Sequence, residues 1–175
     1  GADYGDDVGA LSGCGLRPLY SGGSSGAVAA TLSRIEVAPI EGKAGWLVAN
    51  ALRDRLPRSG ETPLYRVEIK LDDQLTSLGV RRDDTVTRER RTLRARYQLI
   101  ELSRGTVLVD ATAGSDVGLD AVGSDYATLA AENTALERLA PIVADEIVAR
   151  LARYGLKEGA GTPADEARGG PARQP

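Results

Sequence analysis

The sequence predicts an α+β fold in the order β-α-β-β-β-α: a four-stranded, mostly antiparallel sheet with two helices packed on one face. Three runs in which apolar residues take every second position predict strands with one buried and one exposed face, as in antiparallel sheets. Two segments with apolar residues three and four apart predict helices at either end of those runs. The chain has 175 residues, which is enough for one domain with a proper core.

The first strand and the first helix lie before the three alternating runs. Residues 33–39 predict a strand, because Ile35 and Val37 alternate with charged neighbours. Residues 45–56 predict a short helix, with its apolar residues on one stripe. Pro57 follows this helix and closes it.

The alternating runs predict the other three strands, in residues 64–75, 85–102 and 106–117. A polar loop at 79–84 joins the first two, and the short segment 103–105 predicts a hairpin between the last two. The middle strand is long, so it is expected to project beyond any helix that covers it.

The last element is a long amphipathic helix over residues 125–154. Ser124 or Asp125 is a plausible N-cap, because a short polar side chain can accept from the free backbone N–H groups. Pro141 lies inside the pattern, and we expect a kink or a break there because proline removes a backbone donor.

Composition divides the chain into three parts. Residues 1–31 are predicted to be a leader, with a lipobox-like segment and a flexible Gly/Ser-rich linker at 21–30. Residues 32–154 form the single α+β domain. Residues 155–175 are predicted to be a disordered tail, because their apolar content is low.

The residue types that are missing narrow the possible functions. The chain has no histidine, one cysteine and a net charge of −3. This excludes histidine-based acid–base chemistry and nearly all zinc or iron sites, so a protein without catalytic residues, metal or cofactor is predicted. The predicted domain is close to neutral, which argues against nucleic acid as a partner. No apolar run approaches the length of a membrane span, so the domain is expected to be soluble.

The single cysteine, Cys14, follows Leu11-Ser12-Gly13. This is the pattern of an apolar residue and two small ones that bacterial lipoprotein processing reads before it acylates the cysteine. An ordinary free cysteine in a flexible leader is the alternative, and four residues alone leave both open. Residues 1–10 carry neither the basic segment nor the apolar run of a signal peptide. We therefore expect them to replace the natural signal sequence, and this polypeptide itself to be soluble and not lipidated.

The predicted middle strand carries arginines on one side, with Arg91 on the other. Like charges two residues apart on a strand repel, so an anionic ligand is expected to meet this face. The alternative is a solvated face neutralised across the strands by Glu68, Asp72 and Asp110. Arg66 and Lys70 of the neighbouring strand add to the basic set, which consists of Arg88, Arg90, Arg94 and Arg96.

Four segments in this order resemble one family, the lipopolysaccharide (LPS) assembly lipoproteins, in an alphaproteobacterial form. Residues 11–20 are similar to its lipobox and the segment after it, and residues 34–40 to its first strand. Residues 49–56 resemble its first helix, and residues 124–147 its final helix. These proteins are the small subunit of the outer-membrane LPS translocon.

The resemblance implies a non-enzymatic lipoprotein on the periplasmic side of the outer membrane, anchored in the inner leaflet through acyl groups such as palmitate on Cys14. It also implies a plug in the large β-barrel LPS-assembly protein that supports assembly of the barrel and delivery of LPS to the outer leaflet. Assigning LPS contact to Arg88, Arg90, Arg94 and Arg96 follows from their charge and not from the resemblance.

Other functions stay open at this stage. One alternative is a generic periplasmic lipoprotein, and another is an RNA-binding α+β module that uses the arginine-rich strand. RNA binding is disfavoured by the neutral domain and the few aromatic residues. A third is a glycan-acting enzyme that uses carboxylates such as Asp72, Asp73, Asp83 and Asp84, although neighbours in a strand point to opposite faces.

Overall fold

The computed structural model of the protein describes residues 24–80 and 86–161. It confirms the predicted α+β class, with a four-stranded sheet and one helix more than expected. The elements are α1 (Ser24–Leu32), β1 (Ile35–Val37), α2 (Gly42–Arg55), β2 (Tyr65–Val80), β3 (Val86–Glu101), β4 (Thr106–Val122) and α3 (Asp125–Gly161).

The sheet has the order β1-β2-β3-β4. β1 pairs in parallel with the start of β2, and β2, β3 and β4 pair antiparallel. The parallel pair follows from α2, because a helix that crosses back over the sheet returns the chain in the same direction. The register places Tyr97 of β3 between Ile69 of β2 and Ala111 of β4.

The core lies between the sheet and the three helices. Val67, Leu93 and Leu99 from the strands are fully buried, as are Leu52 of α2 and Ile147 of α3. Each strand contributes alternate residues to this core, and no helix of the described part of the chain covers the other face of the sheet. That alternation is the pattern by which the sequence predicted the strands.

Helix α1 corrects the prediction of a flexible linker for residues 24–30, while residues 21–23 of that predicted linker lie outside the described residues. Val28 and Leu32 of α1 are buried, and α1 packs against α3 near Gly155. A Cβ at Gly155 would lie 3.3 Å from Cβ of Thr31 and 3.4 Å from Cα of Val28. Small residues at such a crossing let two helices approach closely, so the small residues of the segment predicted to be a linker allow helix packing here.

Of the kink or break expected at Pro141, the break does not occur, because helix α3 is continuous through this residue. The buried residues Ala140 and Val143 hold the helix against the core on both sides of the proline, and tertiary packing outweighs the local cost. α3 also continues past Tyr154 to Gly161. The start of the predicted disordered tail is therefore helical, and residues 162–175 lie outside the described part of the chain.

Within the described residues, no helix is both long enough and apolar enough to cross a membrane.

Candidate interaction surface on the outer face of the sheet

The sheet face opposite the three described helices, called here the outer sheet face, is built by period-two alternation. This face carries the even-numbered residues of β1 and β3, and those of β2 as far as Thr76. An irregularity in the β3–β4 register between Leu99 and Ile100 turns even-numbered residues of β4 to it as well. Its charged residues are Glu36, Arg66, Glu68, Lys70, Asp72, Arg88, Arg90, Arg94, Arg96, Asp110, Asp116 and Asp120.

Three of the four predicted site arginines form ion pairs with aspartates of β4. Arg88 Nε lies 3.5 Å from Asp120 Oδ1, and Arg90 Nε lies 3.3 Å from Asp116 Oδ2. Arg96 donates from Nη2 to Asp110 Oδ2 at 3.1 Å and from Nε to Asp110 Oδ1 at 3.3 Å.

The ion pair with Arg96 also changes the proton affinity of the Asp110 carboxyl group. Hydrogen bonds from Arg96 and then from Gln98 lower the pKa of Asp110. Asp110 is therefore a carboxylate at any pH near neutrality. All three pairs are exposed to solvent, and exposed pairs of this kind add little to stability.

Arg94 differs from the other three arginines. Its partner position on β4 is Gly114, and a Cβ at Gly114 would lie 3.4 Å from Cγ of Arg94. The arginine stem therefore lies over a residue without a side chain. Within the described residues neither Arg94 nor Lys70 forms an ion pair, so both charges are available to a ligand.

Within the described residues the outer sheet face is neutral. It carries six basic and six acidic side chains there, a net charge of zero. This agrees with the alternative of a neutralised face, and Asp110 takes the role predicted for it. Asp120 was missed as an arginine partner because β4 was predicted to end at residue 117, and Asp116 because the β3–β4 register that brings it close to Arg90 was not predicted. The signal was present, since their even-numbered positions continue the alternation of β4.

A cavity of about 250 Å³ opens on this face between β2 and β3. Lys70 and Arg96 line it together with Glu68, Ile69 and Gln98. Two cations and an amide in one depression can bind an anionic oxygen by charge and by hydrogen bonding.

Arg91 lies on the opposite face, as predicted, and holds the sheet to α3. It donates to both carboxylate oxygens of Asp73 and to the backbone carbonyl of Glu132. Asp72 faces the outside while Asp73 faces the helices, so the structure does not bring these two carboxylates together. Asp83, Asp84 and the proposed lipid-acceptor Cys14 lie outside the described residues.

Apolar side chains are also exposed away from the outer sheet face. Trp46 of α2 is 65% exposed and Tyr126 of α3 is 83% exposed. The sequence analysis did not predict these exposed side chains, because the side of a helix that stays uncovered depends on how its neighbours pack.

The family model described as lipopolysaccharide-assembly (LptE) matches residues 32–151. Among solved structures, a predicted lipoprotein from Caulobacter crescentus CB15 is similar at 25% identity, with a TM-score of 0.61, over 79% of this chain and 99% of that one. A minor lipoprotein from Acinetobacter baumannii is similar at 16% identity, with a TM-score of 0.42, over 71% of this chain and 89% of that one. None of the curated proteins matches the chain.

Proposed function

Because the chain belongs to the lipopolysaccharide-assembly (LptE) family, whose members are non-enzymatic lipoproteins, we propose that it acts as the plug of the large outer-membrane β-barrel LPS-assembly protein. In this role it supports assembly of the barrel and helps deliver LPS to the outer leaflet. The observation that carries the proposal is the outer sheet face, which is broad, polar and neutral.

A barrel lumen is lined by polar side chains, so a protein inside it needs polar surfaces that present both signs of charge. The outer sheet face alternates Arg and Asp side chains across β3 and β4. Such a surface can exchange its internal ion pairs for pairs with a lumen wall at little net cost. A strongly basic face would suit a polyanion better than a mixed wall.

The same face is proposed to contact LPS, which carries phosphates and carboxylates. Arg94 and Lys70 have no acidic partner within the described residues, so they are the first cations that an LPS anion meets. Arg96 lines the cavity beside Lys70, and a phosphate there can displace Asp110 from it. Arg88 and Arg90 extend the site once their aspartates are displaced, because guanidinium binds phosphate through two oxygens at once.

The anchor is proposed to be an acylated Cys14 in the inner leaflet of the outer membrane. Nine residues, 15–23, separate Cys14 from the start of α1 at Ser24, and nine residues span at most about 30 Å. The domain would therefore stay close to the periplasmic surface of the membrane. Each acyl methylene buried in the bilayer contributes about 0.8 kcal/mol, so more than one chain gives a stable anchor.

The plug proposal is tested by isolating the full-length, tagged protein from detergent-solubilised outer membranes. A stoichiometric large β-barrel that stays bound at high salt is the expected result. Recovery of the protein without a barrel would overturn the plug proposal and leave a generic periplasmic lipoprotein.

The LPS contact is tested separately with purified LPS. Arg94→Ala combined with Lys70→Ala is expected to weaken binding severalfold, and Arg90→Glu, Arg94→Glu and Arg96→Glu together to abolish it, with an unchanged circular dichroism spectrum. Arg53→Ala, on the exposed side of α2, is the matched control. Binding that is unaltered in both sets of variants would remove these residues from the LPS site.

A further inference from the structure

The first three turns of α3 are held to the sheet by few contacts. Tyr126 is 83% exposed and Leu129 is 57% exposed, and the first buried residue of the helix is Ala135. By contrast, α3 buries residues in every turn from Ala135 to Leu151. A segment with so little buried apolar surface opens more easily than the rest of the helix.

Polar contacts at Glu132 take the place of apolar packing here. Arg91 Nη1 donates to the carbonyl oxygen of Glu132 at 2.7 Å. Glu89 lies on the helix side of β3. Its carboxyl group is within hydrogen-bonding distance of the carboxyl group of Glu132. Glu89 Oε2 has no surface in contact with solvent and no hydrogen-bond partner among the described residues.

Among the described residues, neither Glu89 nor Glu132 forms an ion pair. Arg91 is two residues away on β3, but it is engaged by Asp73 of β2 and by the Glu132 carbonyl. The residues opposite Glu89 are Ser77 on β2 and Leu119 on β4, and neither side chain carries a charge. With all acids ionised, the group of Asp73, Glu89, Arg91 and Glu132 has a net charge of −2.

Two carboxyl groups can hydrogen bond to each other only if one of them carries a proton. We propose that docking of residues 125–134 of α3 onto β3 and β4 is proton-linked through Glu89 and Glu132. The segment is closed when the pair holds a proton, and it loosens when both carboxylates are charged.

The direction of the pH effect follows from Glu89. Burial raises its pKa, and the hydrogen bond to Glu132 and the charge of Glu132 raise it further. The docked state therefore binds the proton more tightly than the opened state. Its stabilisation is complete below the ordinary pKa of a glutamate and is lost as the pH rises through the raised value.

The test is hydrogen exchange of the full chain, measured as protection factors between pH 4 and 8. In the wild type, protection of residues 125–134 is expected to fall severalfold with rising pH, while that of residues 139–151 stays level. Glu89→Gln cannot ionise, so it should keep the segment protected at every pH. Glu132→Gln should do the same, and Glu68→Gln on the outer sheet face is the matched control.

A wild-type segment whose protection does not change with pH would overturn the proposal. So would a pH dependence that persists in both Glu89→Gln and Glu132→Gln. Neither result depends on LPS or on a barrel partner, so the test is independent of the proposed function.

Discussion

Arg91 and Asp73 form a two-point ion pair across neighbouring strands on the helix side of the sheet. Arg91 Nε donates to Oδ1 at 2.9 Å and Nη2 donates to Oδ2 at 2.7 Å. The side chains are 15% and 25% exposed, so water screens this pair less than those of the outer sheet face. With its third donor on the Glu132 carbonyl, a single arginine joins β2, β3 and α3.

Replacing Arg91 by methionine is expected to destabilise the protein by about 2 kcal/mol, because it leaves a half-buried carboxylate and a carbonyl without their donor. Urea denaturation followed by circular dichroism measures this loss. Arg91→Lys should recover only part of it, since an ammonium cannot reach three acceptors with the geometry of a guanidinium.

The control for this prediction is Arg94→Met, on the exposed outer sheet face of the same strand, which should leave the denaturation midpoint unchanged. Asp73→Asn combined with Arg91→Met should cost less than the sum of the single changes, because the two side chains contact each other. Additive losses would show that the pair is not the source of the effect.

Two helical glycines are expected to respond to alanine in opposite directions. A Cβ at Gly45 of α2 would lie 2.5 Å from the carbonyl oxygen of Ile40, which is backbone and cannot swing away. Gly45→Ala should therefore destabilise the protein by about 1–3 kcal/mol through overpacking. At Gly26 of α1 a Cβ meets nothing within 4 Å, so Gly26→Ala should stabilise by about 0.5–1 kcal/mol.

Thermal unfolding of the two alanine variants beside the wild type checks this pair. Both variants replace glycine by alanine, so the difference between their unfolding midpoints reports the space available for a Cβ at each site. Equal shifts of the unfolding midpoint would contradict the close approach of Ile40 to α2.

The sequence predicted the sheet better than it predicted the helices. Each strand has one buried and one exposed face, so alternation is visible residue by residue, as at Val67 and Ile69 on β2. The helix α1 has no such signal. It is nine residues long and made of small residues, and its stability comes from packing on α3 near Gly155, which is 123 positions from Leu32. Contacts at that distance in sequence leave no local pattern.

The candidate site was predicted in part for a related reason. The four arginines share a face because they are on one strand, and that can be read from their spacing. Their pairing with Asp116 and Asp120 depends on the β3–β4 register, which the irregularity at Leu99 and Ile100 sets. The alternation of β4 places these aspartates on the arginine face, but which arginine each of them meets depends on the register, and the sequence alone does not fix the register.

Tyr154 is expected to ionise late in an alkaline titration. Its ring meets that of Tyr65 edge-on, with centroids 6.4 Å apart. Burial, followed by the charge of Glu158, raises the pKa of Tyr154 to about 12. Burial also raises the pKa of Tyr65 and of Tyr97.

These tyrosines are neutral in the folded protein at pH values where an unfolded tyrosine already ionises. Their contribution to stability is therefore complete below about pH 10, the ordinary value, and is lost as the pH rises through the raised values. Absorbance at 295 nm should show a late phase that coincides with loss of the circular dichroism signal. Tyr154→Phe should reduce the amplitude of that phase, and an unchanged amplitude would contradict the assignment.

Removing the acids of β4 should strengthen binding to LPS, which is the opposite of what the arginine variants do. Asp110→Asn, Asp116→Asn and Asp120→Asn together change the net charge of the outer sheet face from zero to +3 and free Arg88, Arg90 and Arg96 from their partners. If LPS anions must displace these aspartates, the triple variant should bind purified LPS severalfold more tightly. Its binding should also depend more steeply on salt, because more charge is engaged.

The matched control for this prediction raises the net charge by the same three units away from the outer sheet face. Glu41→Gln, Asp54→Asn and Glu137→Gln change exposed side chains on or beside α2 and α3. Equal strengthening in both triple variants would attribute the effect to total charge and not to the arginine face. An unchanged affinity in the β4 variant would mean that LPS does not bind these arginines, because an LPS anion that binds them must compete with the aspartates.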